Sequence, residues 1–365
     1  MSAPAIPTVD LDDLASEDST RRHRAAEALR IGFGTHGLVY VANHGVDAPT
    51  LTRLYDEFAA FTARPQSEKE LLNRPDLWFQ RGYTPPNTEK AVVSSSQPDF
   101  KECYFAAPLA TDPECQIQYP QIYADNIWPA RPGLEEPYLE VGGQLHAAGE
   151  RLLVGAALAL GLAEDAFTSR IGGGPHVFRL LRYLPVTDSQ IGAGVVWGEE
   201  HTDFNLLTLL PGGRFHDLEG RPCAPPDDAS GLFLRTRPSA DHPQGEKVRG
   251  TAPPGCIVAQ VGQALEILTG GAFLATPHVI TAPRTPGYTR LSAAHFVHLH
   301  SHQILFPLPE LRSAENLRAY SPPVLAGTYA IKTLVDIQLA PREALDRLGY
   351  RHYDRLADIR ARESP

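Results

Sequence analysis

Residues 198–210, GEEHTDFNLLTLL, decide how the chain is read. They set His201 and Asp203 two positions apart at the head of a run of strand formers. In an extended strand, side chains at i and i+2 leave the same face. An imidazole and a carboxylate would then project side by side, as a chelating pair must. The same spacing recurs at His352 and Asp354 in RHYDR. There the surroundings, PREALDRLGYRHYDRLADIRARE (341–363), are charged and helical, and i and i+2 diverge on a helix. That second pair reads as a solvated helix face.

Downstream of the first pair the chain is a series of short apolar runs divided by turn signals. HVFRLLRYLP (176–185), GLFLRTR (231–237), CIVAQVG (256–262), LEILTGG (265–271), TPHVITAP (276–283) and TRLSAAHFVHLH (289–300) all fit strands. Strands so short and so closely spaced predict an antiparallel sandwich or barrel. The polar, Pro- and Gly-rich segments 211–230 and 238–255 read as long loops on its rim.

Upstream, AIPTVDL (5–11) and GLVYVANHG (37–45) read as strands. SEDSTRRHRAAEALRIGFGTHG (16–37), with Ser16, Asp18 or Ser19 as its cap, reads as a helix. DAPTLTRLYDEFAAFTARP (47–65) and the run from Gly133 to Leu162 have helical periodicity. Residues 66–130 are rich in proline and read as irregular.

Three protein ligands on one side of a metal, two imidazoles and one carboxylate, suit a ferrous ion and leave positions open for substrate and dioxygen. His201 and Asp203 supply two of them. The third must come from another strand, and His278 is the candidate, although a histidine in that setting can equally be a packed barrel residue. Twelve residues further on, Arg290 and Ser292 again stand at i and i+2. A guanidinium fork beside a hydroxyl is a receptor for a carboxylate. The run HFVHLHSH (295–302) would align His298, His300 and His302 on one strand face. That is too linear to surround an ion, so they read as structural or substrate-lining. Glu199 and Glu200 read as a solvated strand edge or a substrate contact.

In this order the motifs resemble the iron- and 2-oxoglutarate-dependent oxygenases of the isopenicillin N synthase type. The likeness rests on His-Thr-Asp at 201–203, LTLL, GLFL at 231–234, PPGCIV at 253–258, LEILTGG, His278 and Arg290-Leu-Ser292. IPTVDL, GLVYVANHGV, RGY at 81–83, PDFKECYF at 98–105 and NIWP at 126–129 extend it through the N-terminal half. The resemblance implies a mostly β fold with flanking α-helices, its core a double-stranded β-helix or jelly roll. It implies an N-terminal dioxygenase region at 1–130, the jelly-roll domain at 174–304 and a C-terminal extension with a helix at 305–365. It makes His201, Asp203 and His278 the Fe(II) ligands, and Arg290 and Ser292 the holders of the distal carboxylate of 2-oxoglutarate.

Some positions depart from the family. Gly262-Gln263 stands where Gly-Asp is usual, and Val279-Ile280 follows the distal histidine in place of Arg-Val. Leu184 separates Tyr183 from Pro185, where the family often has tyrosine directly before proline. Tyr183 is therefore either a co-substrate contact or a packed aromatic.

The implied reaction consumes O2 and 2-oxoglutarate, releases succinate and CO2, and hydroxylates, desaturates or cyclises a small molecule such as an amino acid, peptide or secondary metabolite. Asp203 argues against halogenation, because related halogenases lack that carboxylate. Arg290 and Ser292 favour 2-oxoglutarate over an oxidase of the isopenicillin N synthase or aminocyclopropanecarboxylate oxidase kind. An ethylene-forming cleavage and a non-catalytic metabolite sensor stay open.

Composition sets the remaining bounds. The chain has 365 residues, 42% hydrophobic and 21% charged, which suits a soluble globular protein with a sizeable core. A net charge of −10 disfavours nucleic acid as a partner. No window reaches the length of a membrane span, and MSAPAIPTVDLDDLASED has no apolar core of a signal peptide. Cys103, Cys115, Cys223 and Cys256 form no CxxC pair and read as free thiols of a reducing cytosol. A cytoplasmic protein, monomeric or weakly self-associating, is expected.

Overall fold

The computed structural model describes residues 5–88, 100–192, 196–236 and 245–349. His352 and Asp354 lie outside them, as does most of the charged helix read at 341–363.

Near the N-terminus, β1 (Thr8–Asp10) and β2 (Leu38–Ala42) enclose helices α1 (Leu11–Leu14) and α2 (Ser19–Thr35). Asp18 is the cap of α2, its carboxylate accepting from the Thr20 and Arg21 amides. Helix α3 (Ala48–Thr62) starts on Asp47 with proline in its first turn. The stretch read as irregular carries α4 (Gln66–Glu70), β3 (Gly82–Thr84), β4 (Lys101–Ala106) and α5 (Pro113–Gln118). The long helix α6 (Glu135–Ala159) follows as expected.

The strand-rich half begins with β5 (Val177–Tyr183), α7 (Asp188–Gly192), β6 (Gly198–His201), β7 (Leu207–Leu210) and β8 (Gly213–His216). It continues through β9 (Pro222–Cys223), β10 (Gly231–Arg235), β11 (Lys247–Arg249), β12 (Ile257–Val261), α8 (Gln263–Leu268), β13 (His278–Thr281) and β14 (Thr289–Val297). Helices α9 (Ala314–Ala319), α10 (Ala326–Asp336) and α11 (Glu343–Arg347) close the described chain.

Three expectations need correction. LEILTGG forms helix α8 and a turn: Ala264, Leu265 and Leu268 bury one helical face, and Gly270 and Gly271 end it with positive φ. The presumed rim loops contain β8, β9 and β11. Strand β14 stops at Val297, so His298, His300 and His302 share no strand face. Beyond Val297 the backbone amides turn to side chains: His298 N–H donates to His176 Nδ1 and Ser301 N–H to the Tyr123 hydroxyl.

The fold is a jelly roll flanked by helices. Its large sheet runs β1-β2-β12-β7-β14-β5-β4-β3, with β8 also pairing β14; its small sheet runs β11-β10-β13-β6. Apolar side chains close the space between them: Leu38 and Val258 from the large sheet meet Leu232 and Leu234 from the small one. Helix α6 covers the outer face of the large sheet. Gly149 permits its close approach, since a Cβ there would meet Val297 and Leu209 at 3.1 and 3.2 Å. A separate apolar cluster joins α5 and Tyr119–Tyr123 to α10 and α11. Where the two sheets part, they leave a cavity lined from both.

Candidate active site

Strands β6 and β13 pair antiparallel with His201 opposite His278. This register sets the two imidazoles 4.4 Å apart, centroid to centroid. Strand β6 ends at His201, so Asp203 sits in the loop that follows and not within the strand. Its carboxylate nevertheless turns to the same side, with Oδ1 3.5 Å from His201 Nε2 and 4.0 Å from His278 Nε2. One donor atom from each residue lies within 4.8 Å of the others. The intervening Thr202 points away, its hydroxyl accepting from Gln263 Nε2 at 2.5 Å.

Each donor atom is held by a partner on its far side. His201 Nδ1 donates to the Glu199 carbonyl at 2.7 Å, leaving Nε2 free. Thr208 donates to Asp203 Oδ2 at 2.6 Å, leaving Oδ1 free. The Gln263 amide donates to the Asp203 carbonyl at 2.7 Å and fixes the loop. Gln260 lies against His278 Nδ1.

The electrostatics follow from burial and proximity. Burial lowers the pKa of His278 to about 4, and the nearby His201 adds to this. Burial opposes a charged His201 as well, but the hydrogen bond and charge of Asp203 outweigh it and raise that imidazole. For Asp203 desolvation is outweighed by the His278 and His201 charges and by hydrogen bonds from His201 and Thr208, which hold it well below the ordinary carboxylate range. A cavity-facing carboxylate beside a neutral imidazole is the donor state a divalent ion needs.

Across the cavity, β14 presents Arg290 and Ser292. The Arg290 guanidinium lies over the rings of Tyr183 and Phe215 at 5.6 and 5.9 Å. Its Nη1 is buried and has no hydrogen-bond partner among the described residues. Gly213 on the paired strand β8 makes room: a Cβ there would lie 2.6 Å from Arg290 Nε and Nη2. A buried guanidinium with an open hydrogen-bonding edge fits an anionic ligand. Tyr183 pairs opposite Arg290 and stacks on Trp197 at 5.2 Å.

All these residues except Trp197 line one cavity of about 740 Å³. His298 lines it too, packed 5.2 Å from Phe204, whereas His300 and His302 face away toward Cys115. Glu199 lines it, and Glu200 pairs with Arg235 at 2.8 Å. Helix α10 supplies a wall through Tyr329, Leu334 and Asp336, a role expected of the more C-terminal helix. Gly213, Thr208, Gln260, Lys101 and Arg179 also belong to the site and are not evident from the sequence. Only Thr208, within the stretch 198–210, carries a local signal.

Comparisons with known proteins agree with this arrangement. Residues 6–131 match the family described as non-haem dioxygenase in morphine synthesis, N-terminal. Kihadalactone A synthase LFS of Citrus sinensis is 27% identical over 339 residues, which span 89% of this chain and 92% of that protein. A solved structure of a putative 2OG-Fe(II) oxygenase family protein from Caulobacter crescentus is 26% identical, with a TM-score of 0.72 over 91% of this chain and 99% of that one. The chain belongs to the iron- and 2-oxoglutarate-dependent oxygenases of the isopenicillin N synthase-like family. As an oxygenase of this kind it uses Fe(II), 2-oxoglutarate and O2. The fold of the oxygenase also matches a dioxygenase for auxin oxidation from rice, at 21% identity and a TM-score of 0.64 over 91% of this chain and 95% of that one. Among the described residues of the oxygenase, no helix is long and apolar enough to cross a membrane.

Proposed function

We infer that His201, Asp203 and His278 hold the ferrous ion, and that Arg290 and Ser292 bind the distal carboxylate of 2-oxoglutarate beside Tyr183. The observation that carries this reading is the unmet Nη1 of Arg290 in the cavity that also receives the three metal-type donors. The jelly-roll segment 174–304 would house the chemistry, with 1–130 packed against it and 305–365 closing the cavity.

Bound there, iron and 2-oxoglutarate supply the oxidation of a substrate C–H bond at the expense of O2, with release of succinate and CO2. The chain's own part is positioning. Glu199 and Thr208 aim two of the donor atoms, and Arg290 orients the co-substrate from the facing sheet. Apolar walls such as Phe105, Leu181, Phe296 and Leu334 exclude water and hold the substrate near the metal donors. The substrate is a small molecule with an apolar body, an amino acid derivative, peptide or secondary metabolite, which is hydroxylated, desaturated or cyclised. A cavity of about 740 Å³ is within the usual range for such ligands.

The test is a panel of such compounds, scored for substrate-stimulated succinate release by the Fe(II)-loaded protein. Succinate should form in step with product, and H278A should abolish both. Product formed without consumption of 2-oxoglutarate would overturn the co-substrate assignment.

A further inference from the structure

A second set of metal-type donors lies outside the cavity. Cys115, in α5, meets His300 and His302 from the turn that leaves β14. Its Sγ is 3.5 Å from His300 Nε2 and 3.7 Å from His302 Nε2. Asp112, the residue that caps α5, brings Oδ2 to 2.9 Å from His300 Nε2, while its Oδ1 is taken by the Glu114 amide. The thiol is buried, His300 half-buried and His302 exposed. None of the four lines the oxygenase cavity.

We propose that Cys115, His300, His302 and Asp112 form a second metal site that binds zinc(II). The donor set is one thiolate, two imidazoles and one carboxylate, the borderline-soft mixture that selects zinc over iron, magnesium or calcium. Tetrahedral zinc with ordinary bond lengths sets sulfur and nitrogen ligands about 3.6 Å apart. The observed Cys115–His300 and Cys115–His302 separations already match. Gln118 Oε1 lies 3.1 Å from His302 Nε2. It can accept from that nitrogen while Nδ1, 4.0 Å from the thiol, turns to the metal. Binding releases the thiol proton to solvent. It moves the His300 proton from Nε2 to Nδ1, and so replaces the 3.3 Å contact that Nδ1 now accepts from the His302 amide.

The site would fasten α5 to the chain entering the C-terminal cap. The next residues bind that cap directly: Gly327 N–H donates to the Ser301 carbonyl at 3.0 Å and Ala326 N–H to the Gln303 carbonyl at 2.9 Å. Helix α10 begins there and forms the cavity wall. The zinc would therefore be structural, set behind the substrate pocket and apart from the chemistry.

The experiment uses the full chain stripped of metal with a chelator. In an H201A/H278A background, Co(II) should bind one per chain and give an intense thiolate-to-cobalt charge-transfer band, which Zn(II) abolishes. H302A, a change at an exposed residue, should weaken Zn(II) binding by roughly 100-fold or more, as loss of a ligand does, and C115S should remove the band. Should the double variant not fold, the unaltered chain is titrated instead: two tight Zn(II) per chain are expected, and one in H302A. Cobalt binding without a thiolate band, or equal zinc stoichiometry and affinity in H302A and the unaltered chain, would overturn the proposal.

Discussion

Gln260 on the large sheet reaches His278 on the small one, its side-chain amide lying against the imidazole Nδ1. Gln260 is fully buried, and its Oε1 has no partner among the described residues. Turning the amide over presents Oε1 to a protonated Nδ1, which satisfies both groups and leaves Nε2 of His278 as the donor for a metal. Q260L removes that acceptor and keeps the volume. The expected outcome is a 10- to 100-fold loss of metal affinity, read by anaerobic titration with Fe(II) or Mn(II). Unchanged affinity would mean that packing alone orients His278.

Gly213 and Arg290 form a second long-range pair. A methyl group on residue 213 would lie 2.6 Å from the guanidinium Nε and Nη2, so G213A must displace the fork. The expected outcome is a higher KM for 2-oxoglutarate with metal affinity unchanged. R290K loses the planar fork as well, and a charge-assisted contact of about 1.5–3 kcal/mol corresponds to a 10- to 150-fold rise in KM. Steady-state succinate assays at varied 2-oxoglutarate check both variants. A normal KM in G213A would show that the arginine has slack which the geometry does not suggest.

These two pairs mark the limit of what the sequence discloses. His201 with Asp203 and Arg290 with Ser292 are legible because each pair is local and its spacing has a direct geometric meaning. Gln260 and Gly213 act on residues 18 and 77 positions away, through register and sheet facing that no local pattern encodes. Helix α8 reads as a strand because LEIL is a short apolar run, and periodicity cannot separate strand from helix at that length. Strand β4 escapes notice for another reason. It is buried along its whole length yet carries Lys101 and Glu102, so the alternation that marks a half-buried strand is missing. Gln263 shows in the sequence only as a departure from the family. In the fold it links Tyr329 of α10 to Thr202, between two of the proposed iron ligands.

A buried imidazole cluster sets the acid limit of stability. His146 Nδ1 lies 3.2 Å from His295 Nε2, and the ring of His176 is 4.4 Å from that of His146. Burial pushes His146 down to about 4 and holds His176 and His295 well below the ordinary value, where neighbouring imidazoles add to the effect. The unfolded chain protonates these groups near pH 6.5, roughly the free histidine value. It therefore takes up protons that the folded chain refuses. Stability is full above about pH 6.5 and falls as the pH drops toward 4, by about 3 kcal/mol for His146 alone. Urea unfolding at pH 7 and 4.5 measures the loss, which should shrink in H295F. An equal loss in H295F and the unaltered protein would assign acid sensitivity elsewhere.

Strand β4 is tied into the sheet by a buried ionic network centred on Glu102, which is 2% exposed. It accepts from Lys69 Nζ and Arg182 Nη1 at 2.7 Å each and from the Tyr83 hydroxyl at 2.8 Å, joining α4, β3, β4 and β5. The neighbouring Lys101 lines the cavity, so the network also positions part of the pocket wall. E102Q removes the charge that faces the buried Lys69 ammonium, whose other hydrogen bond, to the Thr62 carbonyl at 3.2 Å, is neutral. The expected cost is about 3–5 kcal/mol, as for breaking a buried pair from one side. K69M should cost less, because Glu102 keeps Arg182 and Tyr83, and K69M/E102Q should be more stable than E102Q alone. Urea midpoints of the three variants decide it. A loss below about 1 kcal/mol in E102Q, against the range for buried pairs, would mean that water or Arg182 relaxes into the site and that β4 is held by its backbone ladder.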